Sequence, residues 1–160
     1  MKRLTANTPH GKIKAWGELA RMIDLLKKAE LFAEKAHKGQ FDKAGVPYIE
    51  HPKAVAAMVD DDMGKAVAYL HDVVEDTEVS IDDIRKEFGN KVADAVDVLT
   101  RKKGVSYMDY IRGINSNSLA VKVKRADLTH NMNLSRLSVI SDEDIKRVKK
   151  YQKAYKILSE

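Results

Sequence analysis

The chain contains no cysteine, so disulfide frameworks and thiolate metal sites are both excluded, and any transition metal must be held by histidine and carboxylate. Proline is scarce, with three in 160 residues, and no convincing run of alternating β-branched residues occurs. Long hydrophobic runs are missing too. No stretch of about 18 apolar residues exists, and Lys12, Lys14 and Glu18 interrupt the apolar residues near the N-terminus. Neither a membrane span nor a signal-peptide core is therefore expected, and the reading is a cytoplasmic protein.

What is present is 44% apolar, enough for one domain with a real core, expected over residues 1–160. The net charge of +5 is less informative than its distribution. Residues 60–97 carry twelve acidic and four basic side chains, whereas residues 101–125 carry seven basic and one acidic. Such separation suits an acidic, cation-binding half beside a basic rim that attracts an anion, and equally suits a set of solvated helix faces.

Helical periodicity runs almost throughout, so the fold class is all-α, a single-domain helical bundle. Leu19, Met22, Ile23, Leu26, Ala29, Phe32, Ala33 and Ala36 form an apolar stripe over residues 15–38, as one long helix or a kinked pair, which Gly39 ends. A turn-rich connector follows, and Pro52 is expected at the first position of the next helix, with His51 at its N-terminus. Residues 64–75 read as a short, almost wholly apolar helix at the bundle centre, carrying His71 and Asp72. Ser80 with Asp83 and Ser141 with Asp144 resemble capping boxes, the second opening a basic helix over about 142–158. Between them, a short helix is expected around Tyr107–Ile114 and another over 117–134, carrying Asp127.

His51, His71, Asp72 and Asp127 stand out by their chemistry. Two imidazoles and two carboxylates suit one divalent transition metal. An ionisable pair inside an apolar helix costs several kcal/mol to desolvate unless a metal or partners compensate. Each residue also has a structural alternative: His51 as a helix-start residue, Asp127 as a salt-bridge partner of Lys124 or Arg125. Glu75 lies four residues after His71 and three after Asp72, on the same face of a continuous helix, where a general acid or base belongs. The alternative is that Glu75 and Asp76 merely end a helix near solvent.

The wider wording carries a family resemblance. His51, His71-Asp72 and Asp127 resemble the H…HD…D signature of the HD-domain metal-dependent phosphohydrolases. Ala36-His37-Lys38-Gly39-Gln40, Gly45 through Pro52, His71 through Thr77, Phe88-Gly89, Val123 through Asp127 and His130-Asn131-Met132 resemble the hydrolase domain of RelA/SpoT-type proteins and their stand-alone small relatives, over about residues 22–137. The resemblance implies removal of the 3′-pyrophosphate of guanosine alarmones, with Mn2+ held by His51, His71, Asp72 and Asp127. It also implies Glu75 and Asp76 as catalytic carboxylates, and Lys43 and Asn131 beside the nucleotide. Two positions depart from that pattern. Asp42 stands where the family usually has an arginine that packs on the base, and Leu134 where it commonly has a threonine.

Lys122, Lys124 and Arg125 are candidates for a further anion clamp, and His37 and His130 for support around the ligands. The expected partner is a small nucleotide, with neither nucleic acid nor membrane. Hydrolysis of another nucleotide, and a non-catalytic binding module using the basic surface, remain open alternatives.

Overall fold

In the computed structural model, which describes residues 9–159, the architecture is helical, as expected, with no strand among the described residues. Residues 1–8 and 160 of the expected domain lie outside that range. In chain order come α1 (Pro9–Ala36), α2 (Glu50–Ala57), α3 (Asp62–Leu70), α4 (Val73–Asp76), α5 (Ile81–Phe88), α6 (Asn90–Leu99), α7 (Tyr107–Ile114), α8 (Ser118–Met132) and α9 (Asp142–Ile157). A 3₁₀ turn, Leu134–Arg136, joins the last two. Among the described residues no helix is long and apolar enough to cross a membrane.

Short polar side chains open these helices as the sequence predicts. Ser80 and Asp83 form a reciprocal capping box for α5, and Ser141 and Asp144 form one for α9. α5 and α6 meet at Gly89, whose φ of 84° closes the first helix and opens the second, a conformation a side chain would strain. Pro52 departs from expectation. The helix begins two residues before it, because the Glu50 and His51 N–H groups donate to the Pro47 and Tyr48 carbonyls in tight turns. Pro52 still lies in the first turn, where a missing N–H leaves nothing unpaired.

α3 is the hub, packing against α1, α2, α6 and α8. Ala66, Val67, Ala68 and Leu70 are wholly buried there, together with Ala29 and Ala33 of α1, whose small side chains admit close approach. The expected apolar stripe of α1 is core only in its second half. Leu19, Met22 and Ile23 are exposed, as are Ile13 and Trp16.

The larger correction lies at the centre. Residues 64–75 do not form one helix: α3 stops at Leu70, His71 and Asp72 make a turn, and α4 starts at Val73. The imidazole supplies a reason, since His71 Nδ1 lies 2.6 Å from the Ala68 carbonyl, the group an unbroken helix would offer to the Asp72 N–H. Leu70 packs directly before this turn with no exposed surface. Leu70→Ala should therefore cost about 2–5 kcal/mol and lower the thermal midpoint by roughly 5–15 °C, read by circular dichroism. Ile13→Ala on the exposed end of α1 should move it by far less, within about 0.5 kcal/mol.

Candidate metal centre

Three parts of the fold bring the four predicted ligand residues together: His51 from the first turn of α2, His71 and Asp72 from the α3–α4 turn, and Asp127 from the middle of α8. His51 Nε2 lies 3.0 Å from Asp127 Oδ1 and 3.6 Å from Asp72 Oδ2, while His71 Nε2 lies 3.0 Å from Asp72 Oδ2 and 3.6 Å from Asp127 Oδ1. The four atoms thus close a ring. Around a first-row cation with bonds of about 2.0–2.2 Å, neighbouring donor atoms stand about 3.0 Å apart at right angles and about 3.4 Å apart at tetrahedral angles. The ring has these spacings, and His51, His71 and Asp127 are all buried.

The imidazole tautomers suit the same use. His71 gives its Nδ1 proton to the Ala68 carbonyl, so the neutral ring has a lone pair at Nε2, an atom that is buried and has no hydrogen-bond partner. A lone pair facing two carboxylates needs either a second proton or a cation between them. His51 Nδ1 lies 2.8 Å from His130 Nδ1. Burial and then the neighbouring His51 charge push the His130 ring down to about 4, so at neutral pH it is uncharged, and the contact holds one proton that either ring nitrogen can donate. With that proton on His51 Nδ1, His51 Nε2 is free to act as a donor atom, as outer partners commonly arrange for metal-binding histidines.

Burial opposes charge on His71, Asp72 and Asp127. For His71 the Asp72 and Asp127 carboxylates outweigh it and hold the imidazole well above the usual histidine range. Burial is likewise outweighed at Asp72, which His71 draws down to about 2, and at Asp127, which Lys124 and then the two histidines hold well below the ordinary carboxylate range. Lys124 Nζ sits 2.7 Å from Asp127 Oδ2 and over the Tyr110 ring, while Asn131 donates to Asp127 Oδ1 at 2.7 Å. Both lie on α8 at helical spacing from Asp127, so one helix face carries the carboxylate and its supports. Lys124 as a salt-bridge partner and Asp127 as a member of the ring are therefore compatible. Tyr48, which sequence reasoning passed over, donates its hydroxyl to Asp72 Oδ2 in a short hydrogen bond. Its place three residues before His51, in the turn that starts α2, was the available signal.

The remaining candidates divide. Glu75 and Asp76 occupy α4, directly after the turn. Glu75 Oε2 accepts the Arg101 N–H at 3.0 Å, and burial, then the charges of Asp72 and Glu75, raise the Asp76 carboxyl. Lys43 and Asn131 line a cavity of about 340 Å³ with Phe41, Tyr48, Arg136 and Tyr151 among its walls. Tyr48 and Asn131 also touch the ring's carboxylates, so the cavity adjoins it. Lys122 pairs with Asp61 and Arg125 with the Tyr155 hydroxyl, on a different surface, so neither joins Lys124 in an anion clamp. His37 hydrogen-bonds Gln40 and lies against the Tyr48 ring.

The HD domain family model matches residues 29–149, and the chain belongs to the HD-domain family. It is 36% identical over 117 residues to the guanosine-3′,5′-bis(diphosphate) 3′-pyrophosphohydrolase of Haemophilus influenzae, a match covering 64% of this chain and 17% of that protein. To the bifunctional (p)ppGpp synthase/hydrolase SpoT of Escherichia coli K12 it is 34% identical over 125 residues, 69% of this chain and 18% of SpoT. The chain thus spans under a fifth of the length of these curated relatives. Among solved structures, one described as a metazoan ortholog of SpoT that hydrolyses ppGpp superposes with a TM-score of 0.70 at 25% identity, covering 84% of this chain and 85% of that one.

Calorimetric titration of the chelator-treated protein with Mn2+ should give one site. Asp127→Asn should abolish measurable binding, and Tyr48→Phe should weaken it by about 10-fold through loss of the hydroxyl that fixes Asp72. Unchanged affinity in both variants would place the ion elsewhere.

Proposed function

We propose that this chain is a metal-dependent phosphohydrolase that removes the 3′-pyrophosphate of guanosine alarmones. The observation that carries the proposal is the closed ring of two imidazole and two carboxylate donor atoms, supported by the names of the proteins whose sequence and fold this chain shares. His51, His71, Asp72 and Asp127 would hold a divalent cation, for which we favour Mn2+, an ion suited to mixed imidazole and carboxylate ligation. Such a cation, when bound, supplies Lewis acidity toward a phosphoryl oxygen and makes water a stronger nucleophile near neutral pH.

The chain's own residues do the rest. Water adds to the phosphorus that bears the 3′-oxygen, the P–O3′ bond breaks, and the products are guanosine 5′-diphosphate and pyrophosphate. One proton must leave the water and one must reach O3′. To Glu75, whose carboxylate accepts the Arg101 N–H, we assign the first. Asp76, whose carboxyl is raised by burial and its acidic neighbours, is suited to deliver the second. Lys43 and Asn131 bind the nucleotide from the adjoining cavity.

Incubation of the Mn2+-loaded protein with guanosine 3′,5′-bis(diphosphate) should release guanosine 5′-diphosphate and pyrophosphate in equal amounts. Glu75→Gln should lower turnover by roughly 10² or more while leaving Mn2+ affinity intact, because it keeps the shape and removes the proton acceptor. Full turnover in that variant would assign Glu75 to structure, and no release of pyrophosphate by the wild type would reject the substrate.

A further inference from the structure

Asp42 reads in sequence as an anion facing the substrate, but both its oxygens are engaged. Oδ1 accepts the Ala44 N–H at 2.8 Å and the Val46 N–H at 2.9 Å, an arrangement that ties the 41–47 loop to itself. Oδ2 receives Arg136 Nη1 at 3.2 Å. Arg136 belongs to the 3₁₀ turn after α8, so this contact joins two segments that line the cavity across 94 positions of sequence. Asp42 occupies one of the five guanidinium donors, and the Arg136 side chain remains 40% exposed.

The other cations of the cavity are placed differently. Arg147 is bound to Asp144, three residues back in the cap of its own helix, and Lys43 is a point charge without a flat face. Arg136 alone among them is a planar cation paired with a residue of a distant lining segment, and Phe41, Leu134 and Tyr151 line the same cavity.

We propose that Arg136 is the planar cation that contacts the base of the nucleotide, and that Asp42 is the positioning residue that holds it there. The inference rests on the nucleotide-hydrolase reading above. The phosphate end of the substrate belongs at the donor ring. A flat, polarisable ring is what an aromatic and aliphatic cavity with a guanidinium across its mouth accommodates best. Asp42 therefore takes no base-stacking place itself; it delivers the cation from another segment.

The test uses the Mn2+-loaded full chain, with steady-state hydrolysis of guanosine 3′,5′-bis(diphosphate), inhibition by guanosine 5′-diphosphate and by pyrophosphate, and equilibrium dialysis of guanosine 5′-diphosphate. Arg136→Ala should raise KM and the guanosine 5′-diphosphate constants about 10-fold, change kcat by less than about 3-fold, and leave pyrophosphate inhibition unchanged. Arg136→Lys, which keeps the charge and loses the plane, should remain several-fold impaired in KM. Asp42→Asn, which retains the loop's acceptor, should raise KM about 3-fold alone and have no added effect in the Arg136→Ala background. Asp42→Arg should raise KM.

An unchanged KM in Arg136→Ala, equal weakening of pyrophosphate and guanosine 5′-diphosphate, or a lowered KM in Asp42→Arg would each overturn the assignment. If the wild type releases no pyrophosphate, the substrate reading fails. Dialysis then decides the role of Arg136 separately: loss of guanosine 5′-diphosphate binding in Arg136→Ala sustains it, and equal binding removes it.

Discussion

Asp72 and Asp127 set two carboxylates against two imidazoles in a nearly dry interior, and the surrounding structure answers the need for compensating positive charge. Charges at such separations interact far more strongly there than in water, so repulsion between the carboxylates must be offset locally. Lys124 supplies a fixed cation to one oxygen of Asp127, Asn131 donates to the other, and Tyr48 donates to Asp72. None of these groups fills the centre of the ring. His71 Nε2 faces into it, and a divalent cation in place of a proton on that atom would satisfy it and both carboxylates at once.

His71 and Asp72 stand at the break between α3 and α4, with backbone dihedrals still in the right-handed helical region. In a continuous helix adjacent side chains diverge by roughly 100°, so two neighbours share a point only where it lies between their two directions. Both join one ring where α3 ends at Leu70 and α4 starts at Val73, and the imidazole that takes the Ala68 carbonyl thereby fixes its own tautomer. Local structure and site chemistry are here one feature. Burial of Leu70 just before the turn and of Val73 just after it holds the break in place.

Much of this was legible in the sequence. The all-α class, the capping boxes at Ser80 and Ser141, the central burial of the Ala66–Leu70 segment and the convergence of His51, His71, Asp72 and Asp127 follow from periodicity, cap chemistry and ligand types. The helix break was not, because hydrophobic periodicity carries straight through residues 66–74 and cannot register a side chain competing for a backbone carbonyl. The exposed half of α1 was misread for a related reason: Leu19, Met22 and Ile23 have the spacing of a core stripe, but spacing does not reveal whether a neighbour is present. The Asp42–Arg136 pair joins residues far apart in the chain with no local pattern between them, so only the folded structure could show it.

The central claim is that four side chains from α2, the α3–α4 turn and α8 share one divalent cation, and anomalous diffraction from crystals grown with Mn2+ tests it most directly. The account predicts a single strong peak within about 2.0–2.3 Å of donor atoms from His51, His71, Asp72 and Asp127. A manganese peak bound at other residues, with Asp127 turned away from both imidazoles, would contradict it.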